Sequence, residues 1–305
     1  MVTSAARLYR NHLIFPHRTA AIVSGDSSSQ PDSAGSVNLF PSFSDAFTTE
    51  LNTGDGRFGG RALFTVGDTD SRMSAVVHAA LLLLGALVAA NVFIVLGVSL
   101  LDGIDITEQS TPVLYDLSTS ALQFLAFIGV SLWYLLWRSD GLVGLRVPTR
   151  SDLLLIVGGT LALIAVMLSL EILMDLLGFE TAENVTIDRG QAHPELFLLL
   201  IPMQFLFTGP AEELLFRGII QGLFRRAYGI IPGILLAGAV FSLFHIPALG
   251  GGEGVTAVLL ILFISGSLLG VLYEYSGNII VPIVAHAVWN ALVFGNQYVQ
   301  AVGMV

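Results

Sequence analysis

From Met73 onward the chain alternates long apolar runs with short polar breaks. Val76–Leu101, Leu117–Trp137 and Leu153–Leu177 each reach the ~20 apolar residues that a helix needs to cross a bilayer. A fourth run starts at Leu196 and continues to about Arg225, passing through Glu212, Glu213 and Arg217. Ile231–Ile246, Val255–Tyr273 and Ile279–Val299 follow. None of these runs alternates as a barrel strand would. In lipid every backbone polar group needs a partner within the protein, which a helix supplies. The pattern predicts an all-α polytopic membrane bundle of about seven transmembrane helices, multi-pass in the cell membrane.

Residues 1–72 differ in kind, being rich in Ser, Gly, Thr and Asp with no spanning run. They read as a polar, disordered N-terminal tail; a second reading starts the protein at Met73. The expected division is therefore a tail over 1–72 and a transmembrane domain over 73–305. Charge placement orients that domain. Arg72, Arg138, Arg146, Arg150, Arg225 and Arg226 fall in alternate breaks, whereas Asp102, Asp105, Glu108, Glu180, Glu183 and Asp188 fall in the others with Arg189. The positive-inside rule predicts a cytoplasmic N-terminus. Only 12% of residues are charged, about half the share of a soluble domain, as the apolar runs require. A sequence pI near 4.9 argues against a nucleic-acid partner. The chain has no cysteine, which removes disulfides and thiolate metal ligands.

Ionisable groups inside apolar helices are rare and costly, so each needs an account. Glu213 and Arg217 stand four apart on one helical face and neutralise each other. Singly, they read as an ordinary stabilising pair. Glu212 points about 100° away and has no local cation. An acid so placed has the character of a general base, although an acid snorkelling to the headgroups would look the same alone.

His245 ends the segment Phe241-Ser242-Leu243-Phe244-His245. Glu212 and His245 are equidistant from Tyr228–Gly229, where Gly229 and Pro232 signal a turn. A hairpin folded there puts both at one depth, roughly 20–25 Å from the turn. In the last run, His286 and Asn290 share a face. Gly266 and Gly270 read as packing positions only.

In order, Glu-Glu-x-x-x-Arg, Phe-x-x-x-His and His-x-x-x-Asn resemble the CAAX protease and bacteriocin-processing family, which includes the type II prenyl-protein endopeptidases. The context from Gly270 to Asn278, followed by Pro282 and His286, is similar too. The resemblance covers residues 200–295, the expected catalytic core. It implies an intramembrane endopeptidase in which Glu212 activates water and His245 orients it. His286 and Asn290 would donate to the oxyanion, with Glu213, Arg217 and Phe241 supporting the site. The substrate would be a protein or peptide, in some members lipidated, met at the lipid bilayer.

The family often carries a metalloprotease label. No His-Glu-x-x-His helix occurs here. Glu212, His245 and His286 could form a three-ligand zinc site with an open position, but the favoured reading is glutamate-activated water without metal. The competing class is a proton-coupled transporter that uses the intramembrane acids and histidines as a relay. It predicts inverted repeats, and none is visible.

Overall fold

Asp68 decides where the first span begins. Its carboxylate accepts the Ser71 backbone N–H at 2.6 Å and caps helix α1, Thr69–Asp102. The computed structural model describes residues 62–65, 68–138, 141–179, 182, 184–252 and 254–304. After α1 come α2 (Pro112–Arg138), α3 (Arg150–Leu176) and a short α4 (Val185–Ala192). Then follow α5 (Glu195–Tyr228), α6 (Ile230–Phe244), α7 (Val255–Ser276) and α8 (Ile280–Ala301). There is no strand among the described residues, only an isolated antiparallel bridge between Asn184 and Leu249.

Six of these segments are long and apolar enough to cross a membrane: α1, α2, α3, α5, α7, and Ile230–Ala248 including α6. The sequence pattern counts seven. The difference is α8, whose 22 residues match a span in length but carry His286, Asn290, Asn296 and Gln297. Lipid-facing positions are apolar and bare, Leu136 being 80% exposed and Leu154 75%. In water such faces would be a liability, whereas in hydrocarbon they are solvated. The chain is a multi-pass membrane protein.

Packing follows residue size. Ala75, Ala79, Leu82, Ala86 and Ala90 form the buried stripe of α1, small enough for close approach to α2. A second cluster joins Leu163 and Met167 of α3 to Leu269, Leu272, Val281 and Ala285.

The compositional boundary at residue 73 does not coincide with a structural one. Helix α1 already begins at Thr69, and Ala62–Thr65 pair with the α5–α6 turn. Ile230 and Ile231, at the start of α6, donate to the Ala62 and Leu63 carbonyls at 3.1 Å each. Thr65 N–H donates to Tyr228 O at 2.9 Å. These contacts supply acceptors to first-turn N–H groups, which no helix satisfies internally. Gly229, at φ 95°, is required at the turn, because a Cβ there would meet Phe64 Cα at 2.6 Å. The rest of the expected tail lies outside the described residues.

Candidate active site

The helix carrying the paired acids is not regular. Pro202 and Pro210 each lack the N–H that would close an α-helical turn. The chain widens into π-helical turns over Gln204–Thr208 and Leu214–Gln221, flanking an α-turn at Gly209–Glu213. Such wide turns are rare and concentrate at functional sites. Gly209 permits close contact at this point. A Cβ on it would meet Gln204 O at 2.8 Å and Ile283 O of α8 at 3.2 Å. Without a side chain there, α5 lies against α8 and the acids reach His286.

Glu213 is fully buried, and its Oε1 serves two partners. Arg217 Nη1 lies 3.0 Å away and His286 Nδ1 2.8 Å away. The sequence reading paired Glu213 with Arg217 only. Its link to His286 spans 73 residues and could not be read from helical spacing. Arg217 is the largest of the fully buried side chains. Its Nη2 donates to the Gly266 carbonyl at 3.2 Å, and its guanidinium sits 4.3 Å from the centroid of Phe241. The same ring lies 4.5 Å from His245 and 6.1 Å from His286, centroid to centroid. Phe241 is thus a common platform for a cation and two imidazoles.

The arginine contact begins a ladder of constant register. Gln221 Nε2 donates to Gly270 O at 3.1 Å and to Glu274 Oε1 at 3.0 Å. Arg225 Nη1 donates to Glu274 Oε1 at 2.9 Å. Arg217, Gln221 and Arg225 advance by four along α5 while Gly266, Gly270 and Glu274 advance by four along α7. Gly266 and Gly270, read from sequence as packing positions, expose carbonyls that a side chain would shield. A Cβ on Gly270 would meet Gln221 Oε1 at 2.6 Å.

The segment from Gly270 to Asn278 is held from outside by the α2–α3 loop. Tyr273 OH accepts from Gly144 N–H at 3.0 Å, and Asn278 Nδ2 donates to Arg146 O at 3.0 Å. Ile279 N–H donates to Gly144 O at 2.8 Å. Arg146 in turn pairs with Asp152, whose carboxylate also closes the capping box of α3 with Thr149.

Glu212 is buried, and His286 Nε2 lies 3.9 Å from its Oε2. His245 closes α6, its Nδ1 at 2.7 Å from Phe241 O. A carbonyl only accepts, so the proton is on Nδ1 and Nε2 is open toward the cavity. The Arg217-paired carboxylate of Glu213 imposes the same tautomer on His286. Asn290 Nδ2 donates to Gln204 Oε1 at 2.9 Å, while Gln204 Nε2 donates to Leu200 O at 3.3 Å. Gln204 is absent from the sequence-derived set. A buried amide inside an apolar run was the signal that could have found it.

Glu212, His245, His286 and Asn290 all line one cavity of about 520 Å³, with Gln204. Its walls are aromatic, including Phe124, Phe127, Phe244, Trp289 and Phe294. Helix α6 has 15 residues, about 22 Å at ~1.5 Å per residue, against a hydrocarbon core of ~30 Å. It ends at His245, and the short turn Ile246–Ala248 that follows contributes Pro247 and Ala248 to the cavity lining. Among the described residues, no three His, Cys, Asp or Glu side chains are grouped to hold a metal ion.

Residues 194–292 match the family model of the type II CAAX prenyl endopeptidases, Rce1-like. The match spans Glu212, His245, His286 and Asn290, and it supports an intramembrane endopeptidase at the level of that family. Searches of curated proteins and of solved structures give no match.

Proposed function

We propose that this protein hydrolyses a peptide bond within the membrane, using a water activated by Glu212 and His245. The observation that carries the reading is the convergence of a buried acid, two imidazoles and an amide on one cavity, inside the family-matched segment. Glu212 takes a proton from water, and the resulting hydroxide attacks the scissile carbonyl. His245 Nε2 orients that water by accepting its second hydrogen. The C–N bond then breaks as the proton on Glu212 passes to the leaving nitrogen. Asn290 keeps one Nδ2 hydrogen for the oxyanion after serving Gln204. His286 donates from Nε2 when the imidazole is protonated, its Nδ1 being held by Glu213 Oε1. No step is routed through a metal.

The substrate class is a peptide or protein segment, lipidated if it follows the family's prenyl endopeptidase description. The aromatic cavity walls suit an apolar adduct. Arginine placement supports a cytoplasmic N-terminus. The test uses purified protein in liposomes and an internally quenched peptide carrying a farnesylated CAAX sequence. Wild-type protein should cleave it, and Glu212→Gln should not. Cleavage by Glu212→Gln at the wild-type rate would overturn the assignment.

A further inference from the structure

The hydrogen bonds between loops sort the bundle into two ends. One end holds Arg72, the α5–α6 turn, the α2–α3 loop and the α7–α8 loop. It is joined by Tyr228 OH to Arg72 O at 3.3 Å and by the Gly144–Tyr273 and Gly144–Ile279 bonds. The other end holds the α1–α2 connection, α4, the segment after His245 and the last turns of α8. It is joined by the Arg189–Asp116 ion pair, the Asn184–Leu249 bridge and Gln191 Nε2 donating to Gln297 Oε1 at 3.1 Å.

The catalytic cavity is not centred between these ends. Its lining runs from Glu212 at mid-depth to Asn184, Thr186, Pro247 and Ala248 at the second end. A smaller polar cavity of about 220 Å³ around Asp116 and Arg189 shares Ser120 and Thr186 with it, continuing in the same direction. Toward the first end, the way is closed by the Arg217–Gly266, Gln221–Gly270 and Arg225–Glu274 rungs. Charge distinguishes the two ends. Arg72, Arg138, Arg146, Arg150, Arg225 and Arg226 belong to the first. At the second, Arg189 lies between Glu108 and Asp116. By the positive-inside rule the arginine-rich end is cytoplasmic.

We infer that the catalytic cavity opens on the extracytoplasmic side, so its substrates are peptide segments presented at the outer surface of the membrane. The closed end faces the cytoplasm and bars access from there. This inference rests on the peptidase reading for what is cleaved, but not for where the cavity opens.

The chain has no cysteine, so single-cysteine variants report accessibility without background. Val147→Cys marks the arginine-rich end, where Val147 is 86% exposed, and Gly250→Cys marks the cavity end. In intact cells a membrane-impermeant maleimide should label Gly250→Cys and reach Val147→Cys only after permeabilisation. The reverse pattern overturns the inference whether or not the protein cleaves anything. In sealed vesicles oriented by the same labels, a quenched farnesylated peptide with sulfonated dyes is added outside. Cleavage should be at least tenfold faster where the Gly250 end faces out. Cleavage confined to vesicles exposing the Val147 end also overturns the inference. No cleavage from either side defeats the peptidase reading, and the labelling still decides the orientation.

Discussion

His286 Nδ1 lies 2.8 Å from Glu213 Oε1, and this contact ties the last helix to the helix of the paired acids 73 residues earlier. The acid that looked purely structural therefore sets the tautomer of an imidazole in the cavity. Glu213→Gln should both unfold and disable the protein. It leaves the fully buried Arg217 without a counter-charge, a change that costs about 3–5 kcal/mol. The melting temperature in detergent and the turnover of the surviving fraction should both fall. Unchanged turnover in that fraction would remove Glu213 from the catalytic apparatus.

Gly209→Ala tests whether the approach of α5 to α8 is what assembles the site. The new Cβ meets two backbone carbonyls, Gln204 O at 2.8 Å and Ile283 O at 3.2 Å, and neither can rotate aside. The helices must separate, drawing Glu213 from His286. Turnover should fall at least tenfold while the protein still inserts. Wild-type turnover would show that the spacing is not critical.

The Gln204–Asn290 pair should behave as a unit. Asn290→Ala removes the proposed oxyanion donor and should lower kcat by ~100–1,000-fold with little change in KM. Gln204→Met frees the Asn290 amide to turn, and should cost about tenfold in kcat. In the Asn290→Ala background the Gln204 change should add almost nothing, since its effect passes through Asn290. Additive losses would mean that Gln204 acts elsewhere.

A chain begun at Met73 loses the carbonyls of Ala62 and Leu63 that meet the first N–H groups of α6. It also loses the Leu63–Phe64 backbone packed on Gly229, and Arg72, whose guanidinium lies 5.2 Å from the Tyr228 ring centroid. Thermal unfolding should reveal a deficit of about 2–4 kcal/mol, in line with three lost backbone hydrogen bonds at ~0.5–1.5 kcal/mol each. Equal stability of the two chains would make the Ala62–Thr65 contacts dispensable.

The metal question is answered by elemental analysis of purified, active protein. Less than a tenth of a zinc per chain, with turnover unaffected by a chelator, is the expected outcome. One zinc per chain that is lost in both His245→Ala and His286→Ala would replace glutamate-activated water with a metal-bound one.

Much of this was legible along the chain because the physics there is local. Hydrocarbon demands ~20 apolar residues per helix, so the spans appear as runs. The Glu213–Arg217 pair follows from helical spacing, and the turn at Gly229 from a residue that tolerates positive φ. Counting residues from that turn placed Glu212 and His245 at one depth, and both line one cavity.

What the chain could not disclose are contacts between helices distant in sequence. Helical periodicity says which face a residue occupies, but not which helix will lie against that face. The sharing of Glu213 between Arg217 and His286, the orientation of Asn290 by Gln204, and the ladder from α5 to α7 depend on that placement. The π-helical turns were likewise hidden, since Pro202 and Pro210 announce a lost donor without saying how the backbone will compensate. Sequence determines where this protein enters lipid and which polar groups it carries there. Tertiary packing decides which of those groups meet, because a charge buried in hydrocarbon takes its partner from whichever helix is brought within about 3 Å of it.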